Sequence, residues 1–173
     1  TALRVRELVV VDRNDSVRVR IAAHLPDAVI NGRAISRGED ASGILLYDDT
    51  GRERGGYVTF APSGNVALTL DTRDRQAALF VAGPEDAAAA RLWSGDSWIE
   101  MRADAKGSRL GIGNAGELVV QQPPMSEAEN DRGCVELQEE LEQFEQQPPI
   151  EQVLIACKRQ LTDAACRRCR ASP

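Results

Sequence analysis

Four cysteines, a single histidine and several paired carboxylates are the side chains of this 173-residue sequence that could carry chemistry. Cys134, Cys157, Cys166 and Cys169 all fall in the last forty residues. Cys166 and Cys169 form a Cys-x-x-Cys pair, which acts as a redox dithiol when it opens a helix in a βαβ setting. That setting is missing here, and Arg170 follows the pair where covalent haem attachment needs histidine. A four-cysteine zinc site shows two short pairs, and this chain has one. An even number of cysteines in a short segment reads instead as a disulfide framework in an oxidising compartment, with a redox pair, zinc or bridges between chains as the alternatives.

His24 is the only histidine. A Ser-His-Asp nucleophile would have to use it, yet no Gly-x-Ser-x-Gly elbow accompanies it. Histidine-based zinc catalysis needs two or three histidines. Carboxylates gather at Asp12/Asp15, at Asp48/Asp49/Glu53 and at Asp71/Asp74. A facing pair would suit glycoside hydrolysis. The twelve-residue calcium-loop pattern is absent, and aspartate in turns bonds its own backbone. "GIGNAG" (Gly111–Gly116) lacks the strand-then-helix setting of a phosphate-cradling loop. These residues predict a protein that is not an enzyme and holds no cofactor or metal.

The elements that position these groups come in two kinds. Residues 1–122 alternate apolar and polar in short runs. "VRVRI" sets Val17, Val19 and Ile21 against Arg18 and Arg20; "NVALTLD" sets out Val66, Leu68 and Leu70; "WIEMRA" opposes Ile99 and Met101 to Trp98 and Glu100. That period predicts half-buried strands whose apolar side faces a core. Turn residues recur near Gly51, Gly64, Asp74, Gly83, Gly95, Gly107 and Gly116. The fold class expected is mainly β, an antiparallel meander of about ten strands closing into a barrel or sandwich. Coils of a β-solenoid remain open as an alternative. "GILLYDDTGRERGGYVTF" (Gly43–Phe60) then reads as strand, turn, strand. Gly55 and Gly56 mark a bulge or a close backbone approach. Tyr47, Glu53, Gly55 and Gly56 are the candidates for a local backbone geometry or an interaction groove. Segment 23–42 breaks the rhythm and is expected to be a long loop, either a rim for a ligand or a cover.

Residues 123–133 read as a polar, proline-containing linker, and 134–173 as a helical hairpin carrying the cysteines. Cys134, Leu137, Leu141 and Phe144 keep helical spacing, as do Ile150, Val153, Leu154, Cys157 and Leu161. Antiparallel packing sets Phe144 opposite Ile150, Leu137 opposite Cys157 and Cys134 opposite Leu161. Three bridge pairings are possible. A short third helix capped by Thr162-Asp163 and folding back favours Cys157 with Cys166 and Cys134 with Cys169.

Apolar residues are 42% of the chain but aromatic ones only 4%, so any core is aliphatic. A net charge of −6 argues against nucleic acid, which needs a concentrated basic surface. No apolar run reaches the roughly 18 to 20 residues that cross a bilayer, and a chain opening at Thr1 is compatible with a trimmed upstream signal or anchor.

Within Gly43–Phe60 the matches Gly43, Tyr47, Asp48, Asp49, Gly51, Glu53, Gly55 and Gly56 resemble a group of uncharacterised bacterial proteins. Their signature runs Gly, three apolar positions, Tyr, then Asn/Asp-Asp/Glu-x-Gly-x-Glu-x-Gly-Gly. "ELVVVDRNDSVRVRIA" looks like their opening unit, with Ser16 in place of a glycine. The resemblance spans about residues 3–120 and implies a domain outside the cytoplasmic membrane, often behind an N-terminal anchor. The function expected is therefore an extracytoplasmic interaction or accessory subunit of an envelope assembly, in the periplasm or at the cell surface. The β domain would be its scaffold, the helical hairpin its docking element, and a protein or membrane complex its partner. The competing expectation is a small-ligand carrier or hydrolase using loop 23–42 and the turn carboxylates.

Overall fold

The structure is a computed structural model that describes residues 2–30, 33–142, 157–158, 161 and 163–169. It is mainly β. Twelve strands run in order: β1 (Glu7–Val11), β2 (Val17–Ala22), β3 (Ala28–Ile30), β4 (Arg33–Ile35), β5 (Asp40–Tyr47), β6 (Glu53–Ala61), β7 (Val66–Asp71), β8 (Gln76–Gly83), β9 (Ala87–Ser94), β10 (Ser97–Asp104), β11 (Gly107–Asn114) and β12 (Glu117–Gln122). Helices α1 (Glu127–Glu142) and α2 (Asp163–Cys169) follow. Ten strands form one antiparallel sheet in the order β1-β2-β5-β6-β7-β8-β9-β10-β11-β12. Apart from the step from β2 to β5, strand neighbours are sequence neighbours, as short glycine-bearing turns dictate. β1 and β12 are its end members, and antiparallel pairing leaves no place for solenoid coils.

Two compact units divide the chain: Thr1–Leu92 with Arg102–Gly107, and Trp93–Met101 with Ser108–Pro173. The division runs through the meander rather than at residue 122.

In the first unit, cross-strand register assigns every side chain to one of two faces. One face carries Ala22, Leu45, Val58 and Ala67, all buried, with Leu45 only 1% exposed. Leu25, Tyr47, Phe60 and Leu79 pack against Leu45, Val58 and Ala67. The small side chains here follow from close cover: Leu25 lies in the connection between β2 and β5, and its backbone N–H donates to the carbonyl of Ala41 at 2.8 Å. That connection was expected to be an irregular loop over 23–42. It instead holds the two-stranded β3–β4 hairpin and the start of β5, because "AVI" and "RAI" satisfy each other's backbone. Asn31 and Gly32 lie outside the described residues.

The glycines of β5 and β6 are a consequence of close strand contact. Gly43 and Gly55 have φ of +151° and +132°. A Cβ on Gly43 would run into the carbonyl oxygen of Tyr57, and one on Gly55 into that of Thr69. A Cβ on Gly56 would sit 2.6 Å from the carbonyl oxygen of Ile44 and 2.8 Å from the Leu45 side chain.

In the second unit, Trp98 lies on β11. A Cβ at Gly111 would come within 2.8 Å of its ring, and one at Gly113 would fall inside the indole. The segment expected to be a linker over 123–133 is largely helix, since α1 starts at Glu127. Ser126 accepts from the backbone N–H of Glu129 at 3.3 Å, while Glu129 accepts from the N–H of Ser126 at 2.8 Å. This reciprocal box satisfies backbone donors that a helix start leaves orphaned. Arg109 of β11 donates to the other oxygen of Glu129 at 2.6 Å. The helix then runs through Gly133, where a Cβ would meet Leu161 at 2.8 Å, so glycine admits the partner side chain. Leu137, Cys157, Leu161, Ala165 and Cys166 form a buried cluster, flanked by Met125, Cys134 and Cys169. Leu137 with Cys157, and Cys134 with Leu161, thus share one core. The Phe144–Ile150 pair and most of the expected second helix, 150–161, lie outside the described residues. No helix among the described residues is long and apolar enough to cross a membrane.

Two outcomes follow. Gly55→Ala should destabilise by about 2–4 kcal/mol, because backbone must move. Gly51→Ala, at φ +78° with nothing within 4 Å, should cost about 1 kcal/mol; urea titration of both variants measures the contrast. The second concerns acid. Arg109 and the Ser126 bonds hold Glu129 at about 2 against an ordinary 4.5. Its contribution is complete above pH 4.5 and is lost as pH falls from there towards 2. Glu129→Gln should therefore flatten the acid limb of a stability-versus-pH profile in that window and leave the profile near neutrality parallel.

Candidate functional site

The opposite face of the first unit's sheet is the largest feature that its own architecture leaves unexplained. Register aligns two rows straight across seven strands. One row is Leu8, Ile21, Ile44, Tyr57, Leu68, Phe80 and Ala90; the next is Val10, Val19, Leu46, Gly55, Leu70, Ala78 and Leu92. Ten of these are large apolar side chains that remain 36–54% exposed. The face is apolar by the same alternation that makes the strands, and no charged residue stands in either row. Val19, Ile21, Leu68 and Leu70 were expected to point into a core. The structure turns the alternation over: the connection between β2 and β5 covers the face of Leu45, Val58 and Ala67, and large apolar residues of the other phase are left towards solvent. Ile99 and Met101 of the second unit are exposed in the same sense, while Trp98 packs inward on glycine.

What holds this arrangement is an ion pair at the edge of the covered face. Arg37, in the β4–β5 connection, donates from Nη2 to Oε2 of Glu53 at 2.6 Å and from Nε to the carbonyl of Pro26 at 2.8 Å. Both side chains are largely buried, 14% and 17% exposed. Glu53 pairs across the ladder with Tyr47 after a bulge. Burial, and then the charge of Glu53, raises the Tyr47 phenol above its usual range. The same two causes, in the same order, raise Asp71. Tyr47, Glu53, Gly55 and Gly56 are therefore brought into one short stretch of paired strands. There Glu53 anchors the cover and the glycines permit close backbone approach.

The other candidates are not assembled with them. His24 is 82% exposed and its Nδ1 lies 2.9 Å from Oδ1 of Asp40. Asp48 accepts at Oδ1 from the backbone N–H of Thr50 at 2.9 Å and of Arg52 at 3.1 Å, and from the Thr50 hydroxyl at 2.6 Å. Asp12 accepts from the N–H of Asn14 at 2.8 Å and of Ser16 at 3.2 Å. Each carboxylate closes its own turn. The Thr50 hydroxyl is the largest cause lowering Asp48, and the Asn14 N–H the largest lowering Asp12. Among the described residues, no group of three or more His, Cys, Asp or Glu side chains could hold a metal ion.

The cysteines form two bridges, Cys134–Cys169 and Cys157–Cys166, with Cα–Cα separations of 5.5 and 5.8 Å. The Cys-x-x-Cys pair on α2 is thus divided between two partners, which removes it as a dithiol in this oxidised state.

Glu53→Gln removes the negative charge that helps raise Asp71. The Asp71 pKa, followed by carboxyl NMR, should fall towards 3.8. With Asp71 raised, folded protein binds its proton more tightly than unfolded protein, so this contribution to stability declines as pH rises between 3.8 and the raised value. The variant should weaken that decline. Arg37→Ala should cost about 2 kcal/mol, a discounted figure for a pair not wholly buried, and should speed amide exchange at Leu25. Compared with known proteins, the chain matches no family model, no curated protein and no solved structure.

Proposed function

We propose that this chain is a non-enzymatic interaction or accessory subunit that works outside the cytoplasmic membrane of a bacterium. The observation that carries this reading is the apolar face of β1, β2 and β5–β9, whose large side chains are exposed. Ten large side chains aligned in two rows exceed the scattered apolar residues that ordinary surfaces show. A sheet face of this composition is stable in water when another layer covers it. Two disulfides support an oxidising compartment, and the resemblance of Gly43–Phe60 to envelope proteins, often anchored ones, points the same way.

The docking element in this proposal is the sheet rather than the helical segment. Among the described residues of that segment, Leu137, Leu161 and Ala165 share one buried cluster pinned by both bridges. The connection over 23–42 is drawn down on the sheet by Leu25 and Arg37, and His24 stands apart in solvent. These contacts favour a cover over the rim of a ligand site or a hydrolytic centre.

The test uses a photo-reactive residue at position 68 of the full chain in its native host, with position 95, in the β9–β10 turn, as control. Purification in mild detergent should yield a protein adduct of defined mass from position 68 and none from position 95. Equal labelling at both positions, or retention of a small molecule without any protein adduct, would overturn the proposal.

A further inference from the structure

We infer that the apolar face is covered by a second copy of this chain, the two sheets packing face to face about a twofold axis. This rests on the reading of that face as an interaction surface and names its occupant. Three observations select a second copy.

The first is area. Ten side chains at 36–54% exposure leave on the order of 800 Å² of apolar surface per copy, about 1,600 Å² for two, which is the size of a stable specific interface. A peptide in one groove would cover only part of seven strands.

The second is shape. In the second row Gly55 and Ala78 are both buried and flank Leu70, with Leu46 beyond Gly55. Gly55, with no side chain, is a dip between the large exposed side chains of Leu46 and Leu70. Tyr57, the most exposed member of either row at 54%, stands two residues along β6 from Gly55. Knob and dip lie about 7 Å apart on one strand. A twofold axis passing between them seats each copy's Tyr57 on the other's Gly55, the reciprocal contact that an isologous interface requires. Sheets stacked this way pack about 10 Å apart.

The third is charge. Neither row contains an ionisable carboxylate or base, so two copies meet without burying one. An acidic or basic partner would find no counter-charge. A membrane surface is disfavoured as well, since interfacial binding to anionic lipid uses Lys and Arg around the apolar patch and this chain carries −6. With the charges held off the interface, like net charges oppose association only at long range, so salt should tighten the dimer.

The experiment is sedimentation velocity on the full chain over a concentration series, at low and high salt, for wild type, Tyr57→Lys, the Ile44→Lys/Leu68→Lys double variant and a Thr72→Lys control in the β7–β8 turn. Circular dichroism checks folding; Tyr57→Ala offers a milder variant should a lysine disturb the sheet. Wild type and Thr72→Lys should dimerise, more tightly at high salt. Tyr57→Lys and the double variant should weaken the dimer at least 100-fold with unchanged secondary structure, and Tyr57→Ala about tenfold. A dimer indifferent to all face variants overturns the inference. So does a wild type that stays monomeric throughout the series. In the monomeric case the native-host adduct at position 68 separates the two readings. An adduct with a different protein leaves the interaction surface standing and gives it another occupant, while no adduct removes both.

Discussion

One connection, tied down by the Arg37–Glu53 pair, decides which side of this sheet is dry. Arg37 grips Glu53 at the start of β6 and the carbonyl of Pro26 on its own segment, so the cover is fastened to the strand it crosses and to itself. Leu25 can then pack on Leu45, Val58 and Ala67. Once that side is filled by the chain, the large residues of opposite phase stay exposed. The glycines at 43, 55 and 56 belong to the same constraint, because they let β5, β6 and β7 approach without Cβ atoms driving them apart. Charge placement, backbone conformation and the location of apolar surface are thus three expressions of a single tether.

The strands were legible because a two-residue period is written in adjacent letters. Val17 to Ile21 and Val66 to Leu70 announce a pleated strand without reference to anything distant. Which phase is buried is another matter, since it depends on what lies over the sheet. In "NVALTLD" the larger residues Val66, Leu68 and Leu70 suggest the inner phase, yet Ala67 is the buried one. Ala67 fits beneath a covering segment that starts some forty residues earlier, and no local pattern encodes that distance. The same holds for Trp98: its place beside Glu100 in the alternation points outward, yet its ring lies over Gly111 and Gly113.

The helix start is written in the sequence. Ser126-x-x-Glu129 carries the reciprocal capping spacing, but the prolines before it and Gly133 after it made the stretch look like a linker. Gly133 weakens an isolated helix by about 1 kcal/mol, and here it is retained where Leu161 needs room. Glu53 stood out as a candidate through its place in the signature. Its partner Arg37 did not, because the pairing spans sixteen residues and one arginine among many has no local mark. Of the pairs that converge on the candidate surface, those set by the ladder could be inferred from strand order; those set by side chains crossing between segments could not.

The bridges at the C-terminus carry a topological consequence. The Cys157–Cys166 span lies wholly inside the Cys134–Cys169 span, so the two bridges are nested in the sequence like brackets. Two sulfurs three positions apart on one short helix reach separate partners, which lets seven residues of α2 act as a double clasp.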